Sequence, residues 1–374
     1  MTTKADVIRQ AHACGFADIG FTTVAPFDAH RQQLNERQAD YGWVARMGLN
    51  LMRGSDPLAV MPEARTLIVL IEPYLRHRFP RRLEAHFGRC YLDDDRITKK
   101  GLAVRFKAFR GWLRDRGIAS KSGMHMPHRA AAARAGLGSL GKNCLFYSRK
   151  AVRQGSWILP LTLLVDQSFA PDAPSFQMGC PDWCRNACVA ACPTRALKGD
   201  GTLDPRRCIS YLSYYGEGLT PRALREPMGL YVYGCDRCQD VCPRNAPWLA
   251  LDLPVHPEAA VLEADFTLEQ LLHMDQEYFK SRIWPRMFYM PAEQIWRWRM
   301  NAARAMGNTR DDRYVDDLAR AAEDTAVDER VRAMAVWALG RIGGARADAV
   351  LARLRPAAAG LVLEEFAQSD KGRG

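Results

Sequence analysis

Eight of the chain's eleven cysteines lie between Cys180 and Cys242, and their spacing is the first feature able to do chemistry. The run "CPDWCRNACVAACP" sets Cys180, Cys184, Cys188 and Cys192 at every fourth position, with Pro193 after the last. A second run, "CDRCQDVCPRN", is C-x2-C-x3-C-P over Cys235, Cys238 and Cys242, and Cys208 stands between the two in "DPRRCISYL". A bacterial ferredoxin run reads C-x2-C-x2-C-x3-C-P. The second run is its closing half, and the first is a lengthened version of the whole. Eight thiolates are the number needed by two [4Fe–4S] clusters at four each. Structural zinc also takes four cysteines per site, and a helical stripe of buried thiols is a further alternative; the C-P endings favour clusters. In two-cluster ferredoxins the C-P cysteine of one run serves the other cluster. That crossing pairs Cys180, Cys184 and Cys188 with Cys242, and Cys192, Cys208 and Cys235 with Cys238.

A second motif invites a different chemistry. "GLGSLG" (Gly136, Gly138, Gly141) satisfies G-x-G-x-x-G, but a dinucleotide fingerprint needs a strand before it and a helix after it. Here an alanine-rich helix precedes and strand-like "NCLFYS" follows, and Lys142 lacks the glycine spacing of a P-loop. A glycine-rich loop approaching another bulky or phosphate-bearing cofactor remains open, with Arg134, Gly136, Gly138, Gly141, Lys142 and Asn143 as its candidates. His125 and His128 in "GMHMPHRAA" are candidate ligands or proton donors, against the plainer reading of helix-entry packing. Asp93–Asp95 reads as a solvated turn, and Cys90 as a small buried hydrophobe.

These groups need elements to hold them. The first ~170 residues have an α/β pattern. "ADVIRQAHACGF" is a helix ending at Gly15, and "DIGFTTV" is strand-like. "TLIVLIEPYL" (Thr66–Leu75) and "SWILPLTLLVD" (Ser156–Asp166) are buried strands. "KKGLAVRFKAFRGWLRDRG" and "HRAAAARAG" are helices closed by glycine. Residues 171–250 are loop-rich around the cysteines and need their metals to fold. After short helices over 251–296, the last ~75 residues turn helical and alanine-rich. "WRMNAARAMGN" and "VRAMAVWALGRIGG" resemble each other at a ~30-residue offset, as HEAT-like repeats do, or as one small bundle would. The tail "EFAQSDKGRG" is expected to fray.

The 374 residues carry a formal charge of +11 and a sequence pI near 9.2. That balance invites an anionic partner, nucleic acid or a phosphorylated cofactor. No stretch approaches ~18 apolar residues, so no spanning helix and no membrane association are expected. The opening "MTTKADVIRQAHACGF" lacks a signal peptide's apolar core. A cytoplasmic location follows, and there eleven cysteines point to metal or redox chemistry instead of disulfides.

Taken in order, "AARAGLGSLGKNCL", "GSWIL", "CVAACPTRAL", "RRCISYLSYY", "YGCDRCQDVCPRN" and the terminal helical repeats resemble the epoxyqueuosine reductases over essentially the whole chain. "GFADIGFTTVAP" and "PEARTLIVLIEPY" fit that family's opening segments. The family is similar to reductive dehalogenases. The resemblance implies a nitroreductase-like α/β (α+β) corrinoid-binding catalytic domain over 1–170 and a ferredoxin-like double [4Fe–4S] domain over 171–250. It implies a helical linker with HEAT-like repeats over 251–374. It also implies cobalamin besides the two clusters. An external low-potential donor such as ferredoxin or flavodoxin would supply electrons, and epoxyqueuosine in a tRNA anticodon loop would be reduced to queuosine.

Two departures mark a divergent relative. The family's aspartate before the "AARAGLG" helix, taken as proton donor, falls at Ser122 when counted without gaps. Serine cannot replace a carboxylic acid directly, which leaves Ser122, His125 and His128 as the proton-donor region. The pocket segment around "GRCYLDDDRI" is altered as well. The second departure is the three-residue spacing of the first cysteine run. Two other readings therefore stand beside the first: the same corrinoid and clusters acting on a different, small-molecule substrate, or a cluster-bearing electron-transfer protein without corrinoid.

Overall fold

The computed structural model describes residues 2–92, 101–175, 178–287, 290 and 292–371. The acidic turn Asp93–Asp95 lies outside them. The chain divides into two compact units. Unit one comprises Met1–Arg76, Asp95–Pro205 and Arg237–Leu253; unit two comprises His77–Asp94, Arg206–Asp236 and Pro254–Gly374.

Unit one is built on a four-stranded sheet in the order β1 (Asp18–Thr22), β2 (Thr66–Pro73), β6 (Ile158–Val165), β3 (Ser120–Ser122). All three pairings are antiparallel, so the α+β form of the expected architecture is the one realised. Leu67 to Ile71 in β2 are fully buried on both faces, because helices cover both. Ile68 and Leu70 face Val7 and Ala11 of α1 (Lys4–Ala13) and Phe109 and Leu113 of α2 (Gly101–Arg114). Leu67, Val69 and Ile71 face Ala131, Ala132 and Ala133 of α3 (His128–Arg134). Burial on both faces removes the polar alternation of a half-exposed strand and explains the continuous apolar runs. Thr3 and Asp6 form a capping box that starts α1. After α3 the chain turns into a two-stranded hairpin, β4 (Gly138–Leu140) and β5 (Phe146–Ser148).

The cysteine run in unit one is not a helical stripe. Only Cys188 is in α4 (Ala187–Ala191), which Asn186 enters in the left-handed conformation at φ 58°.

Unit two places α5 (Ile209–Tyr214) and α6 (Arg222–Arg225) beside five C-terminal helices. These are α7 (Ile295–Thr309), α8 (Val315–Glu323), α9 (Glu329–Ile342), α10 (Gly344–Leu354) and α11 (Gly360–Lys371). Helix α7 runs through Gly307 to Thr309. Gly307 is a packing site, since a Cβ there would lie 2.7 Å from Ala338 Cα of α9. The tail does not fray where it is described. Glu365 and Phe366 of α11 are buried, and Glu365 Oε2 accepts from Arg225 Nη1 of α6 at 2.8 Å.

Candidate metal centre

Cys180, Cys184, Cys188 and Cys242 all belong to unit one. Burial pushes the Cys188 thiol up, and the charges of Cys180, Cys184 and Cys242 push it the same way. These three neighbours are the ones that the crossed C-P reading groups with Cys188, although among the described residues no group of three or more Cys, His, Asp or Glu is arranged to hold a metal ion as it stands. Donors point at the sulfurs: Lys142 N–H donates to Cys180 Sγ at 3.3 Å, and the Tyr147 hydroxyl donates to Cys242 Sγ at 3.0 Å. Ala196 N–H reaches Cys192 Sγ at 3.3 Å. Hydrogen bonds of this kind set the potential of a cluster bound through those sulfurs. Cys144 behaves differently, donating its own proton to Gly201 O at 3.1 Å.

The glycine-rich segment serves this sulfur set and its own hairpin. Gly136 sits at φ 67°, where a Cβ would lie 2.3 Å from Ala173 O; one at Gly138 would lie 1.9 Å from Tyr147 O. At Gly141 a Cβ would meet the Tyr147 ring at 2.4 Å. These glycines make room for the chain itself. Lys142 Nζ donates to Asn186 Oδ1 at 2.9 Å, at the entry to α4. Asn143 is buried, and its Nδ2 donates to Tyr147 Oη at 2.9 Å and to Cys238 O at 3.3 Å. Arg134 lies with its guanidinium 3.6 Å from the Phe27 ring centroid and donates to Ala25 O and Thr23 O. Burial pulls it down to about 10. Its donors hold the 23–27 segment.

Sequence reasoning missed four supports. Tyr147 is one; burial and the neighbouring Cys242 push its hydroxyl far upward. Arg244 lies over the Tyr147 ring at 4.5 Å and donates to Gly179 O at 2.6 Å. Asn245 accepts Ser156 N–H at 2.8 Å and donates to Gln239 O at 3.0 Å; Gln239 in turn donates to Ser156 O at 3.2 Å. Ser156 stands two residues before β6, so this network ties the Cys242 turn to the central sheet. The available signal was Asn245 itself, closing "CPRN" straight after the ligand run.

The proton-donor region is a loop between β3 and α3. Ser122 is exposed at the end of β3, opposite Leu163. Thr162 Oγ1 spends its one proton on Gly123 O at 3.0 Å, so the 3.0 Å contact with His128 Nδ1 has the imidazole N–H donating. His125 accepts Asn50 N–H at Nδ1, 3.3 Å away, which puts the proton of its neutral ring on Nε2. His125 is packed closely, since a Cβ on Gly54 would lie 1.7 Å from His125 O.

The family model described as "4Fe-4S double cluster binding domain" matches residues 181–245, and the one described as "HEAT repeats" matches residues 294–369. The first decides between zinc and iron–sulfur for this segment. An epoxyqueuosine reductase of Staphylococcus aureus is 30% identical over 368 residues, covering 92% of this chain and 90% of its own. The chain belongs to the epoxyqueuosine reductase family. A Bacillus cereus member is 29% identical over 91% of the chain and 89% of its own. Among solved structures, the Bacillus subtilis epoxyqueuosine reductase superposes with a TM-score of 0.81 at 25% identity, covering 97% of each chain. That structure has an aspartate-bearing catalytic loop swung out of its active site. An epoxyqueuosine reductase with a tRNA-Tyr epoxyqueuosine-modified stem loop matches equally well, at 0.81 and 25% over 97% and 96%. Among the described residues no helix is long and apolar enough to cross a membrane.

Proposed function

We propose that this protein reduces epoxyqueuosine in the anticodon loop of a tRNA to queuosine, in the cytoplasm, with electrons from an external low-potential donor such as ferredoxin or flavodoxin. The observation that supports this most is whole-length membership of the epoxyqueuosine reductase family together with the match of residues 181–245 to a double 4Fe-4S cluster binding domain. In this reading residues 1–170 hold the substrate end, 171–250 relay electrons and 251–374 hold RNA.

The donor set fits iron–sulfur ligation: sulfur ligands, with an N–H and an O–H donor aimed at two of them. Cys180, Cys184, Cys188 and Cys242 would hold one [4Fe–4S] cluster; the motif assigns Cys192, Cys208, Cys235 and Cys238 to the other. Such clusters supply one-electron transfer at low potential. Cobalamin rests on the family resemblance. The residues assigned to it from the sequence are largely engaged within the chain: Arg134 donates through both Nη atoms to carbonyls, the space a side chain would need at Gly136, Gly138 and Gly141 is filled by the chain, Lys142 Nζ donates to Asn186, and Asn143 donates to Tyr147 Oη and Cys238 O. No step is derived through it.

At the substrate end, opening an epoxide to the alkene takes two electrons and leaves water, so the oxygen must be protonated. Serine at position 122 is too weak an acid for that work. His125 is the stronger candidate because Asn50 N–H fixes its ring with the proton on Nε2. His128 is tied to Thr162 and positions the loop.

The test is the queuosine content of tRNA in a strain lacking this gene. Epoxyqueuosine accumulating in place of queuosine supports the assignment. Unchanged queuosine without epoxyqueuosine removes it and favours the same chassis on a small-molecule substrate, the reading that the change at Ser122 supports.

A further inference from the structure

The surface around the first cysteine run of unit one carries apolar side chains in the open. Trp183 is 67% exposed, more than any other large apolar side chain among the described residues, and Met178 and Val241 are exposed as well. The three flank candidate cluster ligands: Trp183 precedes Cys184, Val241 precedes Cys242, and Met178 stands two residues before Cys180. Packing gathers their segments around α4, into which the Trp183 segment leads. The helix Arg237–Asp240, which runs into Val241, packs against α4. On another side, a Cβ on Gly199 would lie 3.5 Å from Val189 Cγ2 of α4, and one on Gly201 would lie 3.1 Å from Met178 Cε. The β4–β5 hairpin reaches both cysteine runs, through Lys142 N–H to Cys180 Sγ and the Tyr147 hydroxyl to Cys242 Sγ. All of these residues belong to unit one.

Three arginines belong to the same segments. Arg185 follows Cys184, Arg195 lies three residues after Cys192, and Arg237 opens the helix before Val241; all three are exposed. Among the described residues none of these guanidinium groups has a hydrogen-bond or ion-pair partner. Elsewhere in unit one Arg37, Arg105 and Arg149 are paired with carboxylates. Of the exposed acids in the stretch, Asp200 is taken up by Thr202. Single exposed apolar residues are ordinary. A tryptophan with a methionine and a valine on neighbouring segments, accompanied by unpaired arginines, has instead the composition of a protein–protein contact: Trp, Met and Arg are enriched there, with charge at the rim.

We infer that Trp183, Met178 and Val241, with Arg185, Arg195 and Arg237 at their rim, form the docking surface for a small acidic electron-transfer protein. The inference rests on the proposed clusters and gives their electron donor a seat. Electron transfer weakens steeply with distance, so a donor gains by seating where ligand sulfurs come nearest to solvent, and Cys180, Cys184 and Cys242 are each partly exposed. Unpaired cations select a partner with an acidic rim and speed its approach in a salt-dependent way. Three apolar side chains suit the small interface of a redox encounter, below about 1,200 Å². An RNA backbone would meet the same cations, but Met178 and Val241 offer it neither a hydrogen bond nor a stacking plane.

The experiment is a binding titration of full-length protein, reconstituted anaerobically and with iron counted, against ferredoxin and against flavodoxin at low and at high salt. Trp183→Ala should weaken binding of the donor at least about 10-fold, as loss of a central anchor does. Arg185→Glu combined with Arg237→Glu should weaken it by a similar factor at low salt and flatten its salt dependence. Both variants should bind the epoxyqueuosine stem loop as the parent does. Donor affinity within a factor of two of the parent in either variant would overturn the inference, and if Trp183→Ala fails to load iron the double charge reversal decides alone. Loss of stem-loop affinity in place of donor affinity would overturn it in favour of an RNA surface. Parent protein that converts epoxyqueuosine with a chemical reductant but binds neither donor would overturn the docking surface and leave the functional reading intact. Parent protein without iron–sulfur signals would defeat that reading, and the docking surface with it.

Discussion

The Tyr147 hydroxyl donates to Cys242 Sγ at 3.0 Å while accepting from Asn143 Nδ2 at 2.9 Å. The phenol is held in place by one residue of the glycine-rich segment and spends its proton on a candidate cluster ligand. A hydrogen bond to a cluster sulfur strengthens as charge accumulates on reduction, so it raises the potential. Tyr147→Phe should bind the same iron and lower one potential by about 40 mV, taking about 1 kcal/mol of differential hydrogen bonding. Potentiometry checks this; an unshifted potential would mean that the bond is only structural.

The crossed pairing predicts which cysteines share a cluster. Cys188→Ser and Cys242→Ser should each leave about four irons per chain and erase the same EPR signal. Cys144→Ser should keep about eight, because the Cys144 thiol is engaged with Gly201 O. Loss of different signals from Cys188→Ser and Cys242→Ser would refute the pairing.

With Ser122 unable to serve as the acid, His125→Gln should slow turnover by about 10²- to 10⁴-fold, the usual range for a lost general acid. Affinity for the tRNA should stay near the parent value. Turnover within a factor of two of the parent would remove His125 from the proton path.

His86 gives a pH dependence whose sign can be worked out. Burial pushes its imidazole below the ordinary 6.5, against the raising effect of its bond to Leu230 O. Its Nδ1–H donates to that carbonyl at 2.8 Å. Below pH ~6.5 an unfolded chain binds a proton that the folded His86 refuses. Stability is therefore fully present above that pH and falls as the pH drops from it toward the folded value. Denaturant melts at pH 7.5 and 5.5 should show this loss, and His86→Gln should lessen it. An equal loss in both proteins would rule out His86 as a source.

Glu365 is 1% exposed and faces Arg225, itself 3% exposed. Glu365→Ala strands a buried cation and should cost about 3–5 kcal/mol by urea titration. Replacing both partners, Arg225→Met with Glu365→Leu, should recover most of that. A loss below about 1 kcal/mol for Glu365→Ala would place the pair among weak surface bridges.

Much of this was readable in the sequence, for physical reasons. The runs at Thr66–Leu75 and Ser156–Asp166 are apolar throughout because both faces of β2 are covered. The cysteine runs were readable because cluster ligation fixes both residue type and spacing. What stayed hidden depended on partners far along the chain. A glycine pattern reports close approach without saying what approaches; at Gly138 it is Tyr147 O. Tyr147 in "LFYS" reads as strand core, and only the fold shows its hydroxyl on Cys242. The tail looked frayed because Glu365 finds Arg225 across 140 residues. Asn301, Arg304 and Asn308 look like the wet side of a helix, yet their donors meet the 213–232 backbone.

The central claim is tested most directly by single-turnover conversion. Anaerobically reconstituted protein with reduced ferredoxin or flavodoxin would be given an epoxyqueuosine-containing anticodon stem loop, and the nucleosides quantified by mass spectrometry. The account predicts queuosine appearing one-for-one as epoxyqueuosine disappears. Fully reduced, iron-loaded protein that leaves the epoxyqueuosine intact would contradict it.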